Sequence, residues 1–302
     1  MKNCFRSACI ALCACLLALP AVAAPYKQEY KLSVVPGATS GWGLTATYFA
    51  DLVRERSQGR INIKVYASSQ LLAGKSGQMM IDAVEKKGVK IIGWAENGFR
   101  ELTTSKGPIT TPADLNGLKI RVVGSPIFIE TFRALGANPV NMNWSEATTG
   151  FQQGVVDGQE NPTNGINVTV KIWNYHKHQC DWHYIIDPLL MGVNPKVWQG
   201  FTPEDQKLLV ECAVETEKYG KALSRLGMDD GASLAYLKSI NMVPEVADPY
   251  TFLEQQGMTV TKLNQEQIAA FYDATKGVRE AWIPKIGADL VKAAEEDMAS
   301  VR

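Results

Sequence analysis

Thr111-Pro112-Ala113-Asp114-Leu115-Asn116-Gly117-Leu118-Lys119-Ile120-Arg121-Val122-Val123-Gly124-Ser125-Pro126 opens a stretch, continuing to Pro162, whose reading decides the fold. Thr111 as N-cap, Pro112 at the first helical position and Asp114 as capping acid predict a single helical turn closed by Gly117. Leu118 to Val123 follows as a strand, with Leu118, Ile120 and Val122 on one face and Lys119 and Arg121 on the other. Arg121 therefore stands outside the core in this reading. Gly124-Ser125-Pro126 turns the chain into a helix from about Pro126 to Leu135, stopped by Gly136. Ser145 to Gly154 predicts another helix. Val155 to Gln159 predicts a short strand that breaks at Glu160-Asn161-Pro162, because a residue before proline is kept out of helical geometry. The alternation is that of an α/β protein. It also sets a fixed cation near the carboxyl end of a strand, just ahead of a helix N-terminus, where free N–H groups and the positive end of the helix dipole favour an anion. On the residues alone Arg121 can equally be a solvated strand-face arginine, and Asn161 a turn residue satisfying its own backbone.

Three runs in this stretch resemble those of the DctP-type periplasmic substrate-binding proteins of TRAP (tripartite ATP-independent periplasmic) transporters, solute-binding family 7: Asp114 to Val122, Ala134-Leu135-Gly136-Ala137-Asn138-Pro139, and Val156 to Pro162, at matching spacing. The resemblance implies a type II-like periplasmic binding protein of two α/β lobes, with a long helix spanning both. It implies that Arg121 pairs with a ligand carboxylate and that Asn161 hydrogen-bonds to it. Arg100, 21 residues before Arg121, lies close to where many members carry a second ligand-facing arginine, although Glu101 beside it offers a surface ion pair instead. The strand after residue 182 faces the cleft in the family, which makes His183, Asp187 and Asn194 further candidates for selectivity.

The N-terminal part carries the same likeness. Leu32 to Val35 predicts a strand, Leu44 to Arg56 an amphipathic helix ended by Gly59, and Ile61, Ile63 and Val65 a second strand, the expected parallel pair with a helical crossover. Ser57-Gln58-Gly59-Arg60 and Ser68-Ser69-Gln70-Leu71 belong to the resemblance. Between Leu72 and Gly88 the chain departs from it. A helix from about Gly77 to Lys87 runs straight into a strand from Val89 to Trp94, ahead of a turn at Asn97-Gly98-Phe99-Arg100, where the family carries several dozen more residues. Ile81 to Lys87 reads as the front of one helix joined to the back of another, an internal deletion near residue 84. The first lobe is then incomplete, with apolar faces or strand edges uncovered. The expected division is lobe I from 24–122 with about 205–250, shortened near 72–88, and lobe II from 123–204 with about 251–302.

Lys2 and Arg6, the apolar run Ala8 to Leu19 and Ala21-Val22-Ala23 predict an export signal cleaved after Ala23, hence a periplasmic protein. Removing 23 of 302 residues leaves 279, enough for two lobes. The whole chain has 31 basic and 31 acidic residues; losing Lys2 and Arg6 leaves about minus two, which gives no argument for nucleic acid or a membrane surface. Four of the six cysteines go with the signal, leaving Cys180 and Cys212, whose spacing does not require a disulfide. His176, His178, Cys180 and His183 lack the intervals of a metal site, and Trp173, Trp182 and Trp198 are read chiefly as core. Thr202-Pro203-Glu204-Asp205 caps a long helix toward Leu226, followed by helix from about Asp230 to Ile240. No nucleophile with its base, phosphate loop or nucleotide fingerprint is present, so neither an enzyme nor a cofactor is indicated.

The reading at this level is a monomeric binding protein that captures a small organic acid, a C4-dicarboxylate or sugar acid among the possibilities, and delivers it to the small and large TRAP permease subunits. A periplasmic sensor for a membrane receptor and a truncated homologue that binds nothing are the alternatives.

Overall fold

A computed structural model describes residues 26–33, 40–66 and 75–299. The expected export signal and its cleavage point lie outside them. The strands are β1 (Tyr30–Ser33), β2 (Ile63–Tyr66), β3 (Lys90–Thr104), β4 (Lys119–Val122), β5 (Asn138–Asn141), β6 (Gly158–Pro162), β7 (His178–Val193) and β8 (Thr259–Lys262). The helices are α1 (Gly41–Arg56), α2 (Lys75–Glu85), α3 (Pro126–Ala134), α4 (Trp144–Gln152), α5 (Pro195–Trp198), α6 (Pro203–Ser224), α7 (Ala232–Ser239), α8 (Pro249–Gln255), α9 (Gln265–Ala274), α10 (Lys276–Ile286) and α11 (Ala288–Ala299).

β1 and β2 form a parallel pair joined through α1, as the apolar spacing predicts. Ser40 starts α1 by accepting from the Gly43 amide at 3.0 Å. Its buried face, including Phe49 and Val53, packs with Ile61, Ile92, Met191, Leu209 and Cys212 into the core of the first lobe. The second core gathers Leu102, Ile120, Val122, Phe132, Cys180, Trp182 and Phe271. It lies on a six-stranded sheet in the order β5-β4-β6-β3-β7-β8.

β3 and β7 link the two lobes. They are 15 and 16 residues long and pair antiparallel from Lys90↔Val193 at one end to Thr104↔His178 at the other. Ile92 and Met191 serve the first core, Leu102 and Cys180 the second. No turn interrupts β3 at Asn97-Gly98-Phe99-Arg100, contrary to the sequence expectation. Gly98 takes φ +115°, and the register slips there between Glu96 and Gly98. An Asn-Gly pair that reads as a hairpin turn in isolation is here a bulge, because partner strands hold the backbone on either side of it.

The strand expected to end at Gln159 is likewise displaced. β6 runs Gly158 to Pro162, paired with β3 along its length and with β4 at Gly158 and Gln159. Asn161 is therefore a strand residue opposite Glu101 and not the head of a turn. Pro162, lacking an N–H, is tolerated at the strand's last position. Gly158 permits the close fit, since a Cβ there would stand 2.5 Å from the Thr103 carbonyl oxygen.

α6, 22 residues and about 33 Å long, starts in the first lobe, where Asp205 in its first turn accepts from Arg60 at 2.5 and 2.7 Å and from the Tyr26 hydroxyl at 2.5 Å. Its last turn reaches the junction: Ser224 Oγ donates to Glu96 at 2.9 Å, and Asn164 donates to the Leu223 carbonyl. The sheet draws β4 and the second half of β3 into the second lobe. We accordingly place the change of lobe within β3, near Glu96–Gly98, instead of after residue 122. Met191, Val193, Val197, Trp198 and Phe201 return to the first core, and α11 packs on α2.

The junction between α2 and β3 is short. Glu85 at the end of α2 accepts from Lys90 Nζ at 2.7 Å and the Ile91 amide at 3.1 Å, so the helix passes directly into β3. Among the described residues β1 pairs only with β2, and Lys90–Glu96 pairs only with β7. An apolar cleft of about 400 Å³ lies beside both, lined by Leu32, Phe49, Ile63, Ile92, Met191 and Trp198 among others. Cys180 and Cys212 are buried free thiols, one in each core.

Candidate functional site

Arg121 sits in β4 between Ile120 and Val122, both fully buried, so its backbone is fixed by the second core. The side chain leaves on the opposite face, yet it is only 3% exposed. Nε and Nη2 donate to the Met142 carbonyl oxygen at 3.1 and 2.8 Å, and Cζ lies 5.5 Å from the centre of the Trp144 ring. The guanidinium thus rests at the entry to α4, where the sequence reading had it beside the N-terminus of α3. Among the described residues it makes no salt bridge, and Nη1 has no hydrogen-bond partner. Burial pulls its pKa below the ordinary arginine value; the charge of Glu160 opposes this and that of Arg100 adds to it.

Arg100, 5% exposed, is in the contrary condition. Nε binds Glu160 Oε2, Nη2 donates to Glu160 O, Glu160 Oε1 and Asn161 Oδ1 at 2.9, 3.0 and 3.1 Å, and Nη1 donates to Asp187 Oδ2 at 2.5 Å. Burial alone would lower its pKa; the charges of Glu160 and Asp187 outweigh it and hold the group above its usual value. Glu160 is fully buried and also accepts from the Tyr184 hydroxyl at 2.8 Å. Asp187 is held from the first-lobe side as well. Asn97 Nδ2 donates to it at 2.7 Å, while Asn97 Oδ1 accepts from the Trp42 indole at the start of α1.

Asn161 accepts from Arg100 and donates to Gln159 Oε1 at 2.5 Å. Behind it runs a buried amide chain. Gln159 Nε2 donates to Thr103 Oγ1 at 2.9 Å and Asn167 Oδ1 at 3.0 Å, and Asn167 Nδ2 donates to Gln179 Oε1 at 3.3 Å. Gln179 Nε2 donates to Asp181 Oδ1 at 2.8 Å. Such a network fixes the Asn161 rotamer. It ends in an orphan, because Asp181 Oδ2 is buried without a partner among the described residues.

Burial, and then the nearby charge of Glu101, push Asp181 up to about 7. An unfolded aspartate titrates near 3.9. Between those values the folded chain holds a proton that the unfolded chain has released, so this group's contribution to stability falls as pH rises from about 4 to 7. His176, lowered to about 4 by burial, has the opposite sign. It is common to parent and variant and drops out of a difference. Asp181→Asn is expected to lose less melting temperature than the parent between pH 5 and 7. Parallel melting curves across that interval would dispose of the claim.

The structure thus brings together Arg121, Arg100, Asn161 and Asp187. His183 does not join them. It belongs to the Glu101 face, adjacent residues of a strand pointing to opposite sides; its Nδ1 meets Glu101 Oε1, and Glu101 Oε2 accepts from the Trp182 and His183 amides at 2.9 and 3.0 Å. Asn194 is also elsewhere. It caps α5 by accepting from the Lys196 amide at 2.9 Å, nine residues beyond the Arg100 partner Ile185, which is roughly 30 Å of strand. Sequence reasoning missed Glu160, Asn97, Trp42, Tyr184 and the Met142–Trp144 shelf. Glu160 had a signal: an acid within a buried strand requires a cation.

The described residues thus place a buried guanidinium without a salt bridge close to the Arg100–Glu160–Asp187 cluster. Comparison with known proteins supplies the class. The model of the bacterial extracellular solute-binding protein family 7, DctP, matches residues 32–82 and 71–227, and the chain belongs to that family. The two matched pieces overlap at 71–82, within the stretch read as a deletion. The 2,3-diketo-L-gulonate-binding periplasmic protein of Escherichia coli K12 is 34% identical over 228 residues, covering 74% of this chain and 63% of that protein. The C4-dicarboxylate-binding periplasmic protein of Vibrio cholerae is 28% identical over 230 residues, covering 76% and 63%. The chain therefore spans less than two thirds of the length of these curated relatives. The crystal structure of a TRAP periplasmic solute binding protein from Ralstonia eutropha H16 with bound (S)-2-acetolactate is similar at 33% identity, with a TM-score of 0.80, covering 91% of this chain and all of that one. The family is one of solute-binding proteins, not an enzyme class.

Proposed function

We propose that this chain is exported to the periplasm, with cleavage after Ala23, and there binds a small organic acid as a monomer and hands it to the membrane subunits of a TRAP transporter. The observation that carries the reading is the condition of Arg121. A buried cation without a paired carboxylate is costly to desolvate, and here two donors end on one carbonyl while the edge formed by Nη1 and Nη2 is left for an incoming carboxylate. A charge-assisted pair shielded from water contributes about 1.5–3 kcal/mol. Trp144 supplies an apolar wall and Asn161 has a further N–H to offer. The relatives support the ligand class: a diketo sugar acid, a C4-dicarboxylate and acetolactate each carry the group that Arg121 would hold. Closure of the lobes about the β3–β7 ribbon would exclude water and present a joined surface to the permease.

Calorimetric titration of the mature protein with these acids, together with mass spectrometry of any acid that co-purifies, tests the reading. Saturable binding of at least one acid is expected. No heat from any of them and no co-purified acid would count against it.

A further inference from the structure

We infer that the site is built for an acid with one carboxylate and a hydroxyl-bearing body, and that Asp187 is the residue that turns a second carboxylate away. The inference rests on the reading of Arg121 as the carboxylate anchor and concerns what the rest of the ligand meets.

The two buried arginines make a site that, by residue type, suits a dicarboxylate. Their partners remove that option. Glu160 already neutralises Arg100 through both of its side-chain oxygens, and the remaining guanidinium nitrogen, Nη1, is taken by Asp187. Arg100 thus carries two carboxylates where its charge balances one. Arg121 and Arg100 against Glu160 and Asp187 sum to zero, so one ligand carboxylate on Arg121 leaves the cluster at minus one, and a second would leave it at minus two without a free cation. Placed against Arg100, it would also have to displace Asp187 or lie beside it, like charge against like charge.

The position of Asp187 fits selection better than mere neutralisation. Glu160 is fully buried, as a purely internal counter-ion would be, whereas the Asp187 side chain keeps 21% of its surface exposed. Asn97 and Arg100 both hold Oδ2. Oδ1 has no hydrogen-bond partner among the described residues, and a carboxylate oxygen with nothing donating to it is free to accept from a ligand hydroxyl.

The test is calorimetric titration of the mature protein with two matched pairs. One is (S)-2-acetolactate against 2-hydroxy-2-methylmalonate, in which the acetyl group becomes a carboxylate of the same shape. The other is 2-hydroxybutyrate against malate. The parent is expected to favour the monocarboxylate of a pair at least tenfold. Asp187→Ala, which frees Nη1 and removes the charge, is expected to reduce that ratio tenfold or more. Asp187→Asn, whose carbonyl oxygen still accepts from Nη1, is expected to shift it less, and circular dichroism confirms that each variant is folded. A parent that binds the dicarboxylate of a pair as tightly as its partner, or a folded Asp187→Ala protein with an unchanged ratio, overturns the inference while leaving the Arg121 anchor standing. Absence of binding by every acid, in parent and variants alike, overturns the anchor and the inference together.

Discussion

Arg121→Lys is expected to weaken binding of the preferred acid about 10- to 100-fold, the equivalent of about 1.5–3 kcal/mol. An arginine here does two things at once. Nε and Nη2 tie it to the Met142 carbonyl, and the Nη1/Nη2 edge stays planar and aimed while so tied. A lysine ammonium is one point with rotatable donors; it can satisfy Met142 or reach the acid, and holds neither in a fork. Titration of parent and variant with one acid reads the difference directly, and equal affinities would refute the bidentate role. Arg121→Met sharpens the test, because it deletes the buried charge altogether. The heat of binding should vanish while the ligand-free protein stays folded with little change in melting temperature, since the guanidinium makes no salt bridge among the described residues and its desolvation is a cost to the empty protein. A large fall in ligand-free stability would mean that Arg121 is structural.

Arg100→Met has the opposite profile: about 3–5 kcal/mol of folding stability is expected to be lost, because fully buried Glu160 is left without its cation. At a few degrees per kcal/mol for a chain of this size, the melting temperature should fall by roughly 10 °C. The control is Arg100→Met with Glu160→Leu, which replaces ion and counter-ion by apolar groups and should recover part of the loss. Urea titration of the three proteins measures it. If the single change is nearly silent, or the double one is worse than the single, the ion pair is not what holds β3 to β6 at this point. On the proposed function, two arginines 21 positions apart in one chain would have separate duties, Arg100 in the fold and Arg121 toward the ligand.

That distinction was not legible in the sequence, where both arginines look alike. Periodicity and capping located the strand–helix–strand opening, the Thr111 turn, α3, α4 and α6, because each has a local signal in apolar spacing, proline or glycine. The Arg121 strand was placed correctly. The failures have a common physical cause. Asn97-Gly98 read as a turn and Glu160-Asn161-Pro162 as a strand break because these residues, taken locally, prefer to end strands; pairing with β7 on either side of Asn97, and of β6 with β3, overrides the preference. Once β6 extends to Pro162, Glu160 comes under Arg100 and the meaning of that arginine changes. His183 and Asn194 were grouped with the site by position along a strand. The face occupied by Glu101 and the length of β7 separate them from it.

Cys180 and Cys212 give this architecture a built-in means of observation. Each thiol is sealed in a different core, and burial raises the pKa of both, that of Cys212 to about 11. A thiol-reactive dye in native buffer consequently reacts only when the surrounding lobe breathes. Labelling of the two positions, followed over time by peptide mapping, would clock the opening of each half of the molecule separately, without an engineered probe, and would show which half a bound solute quiets.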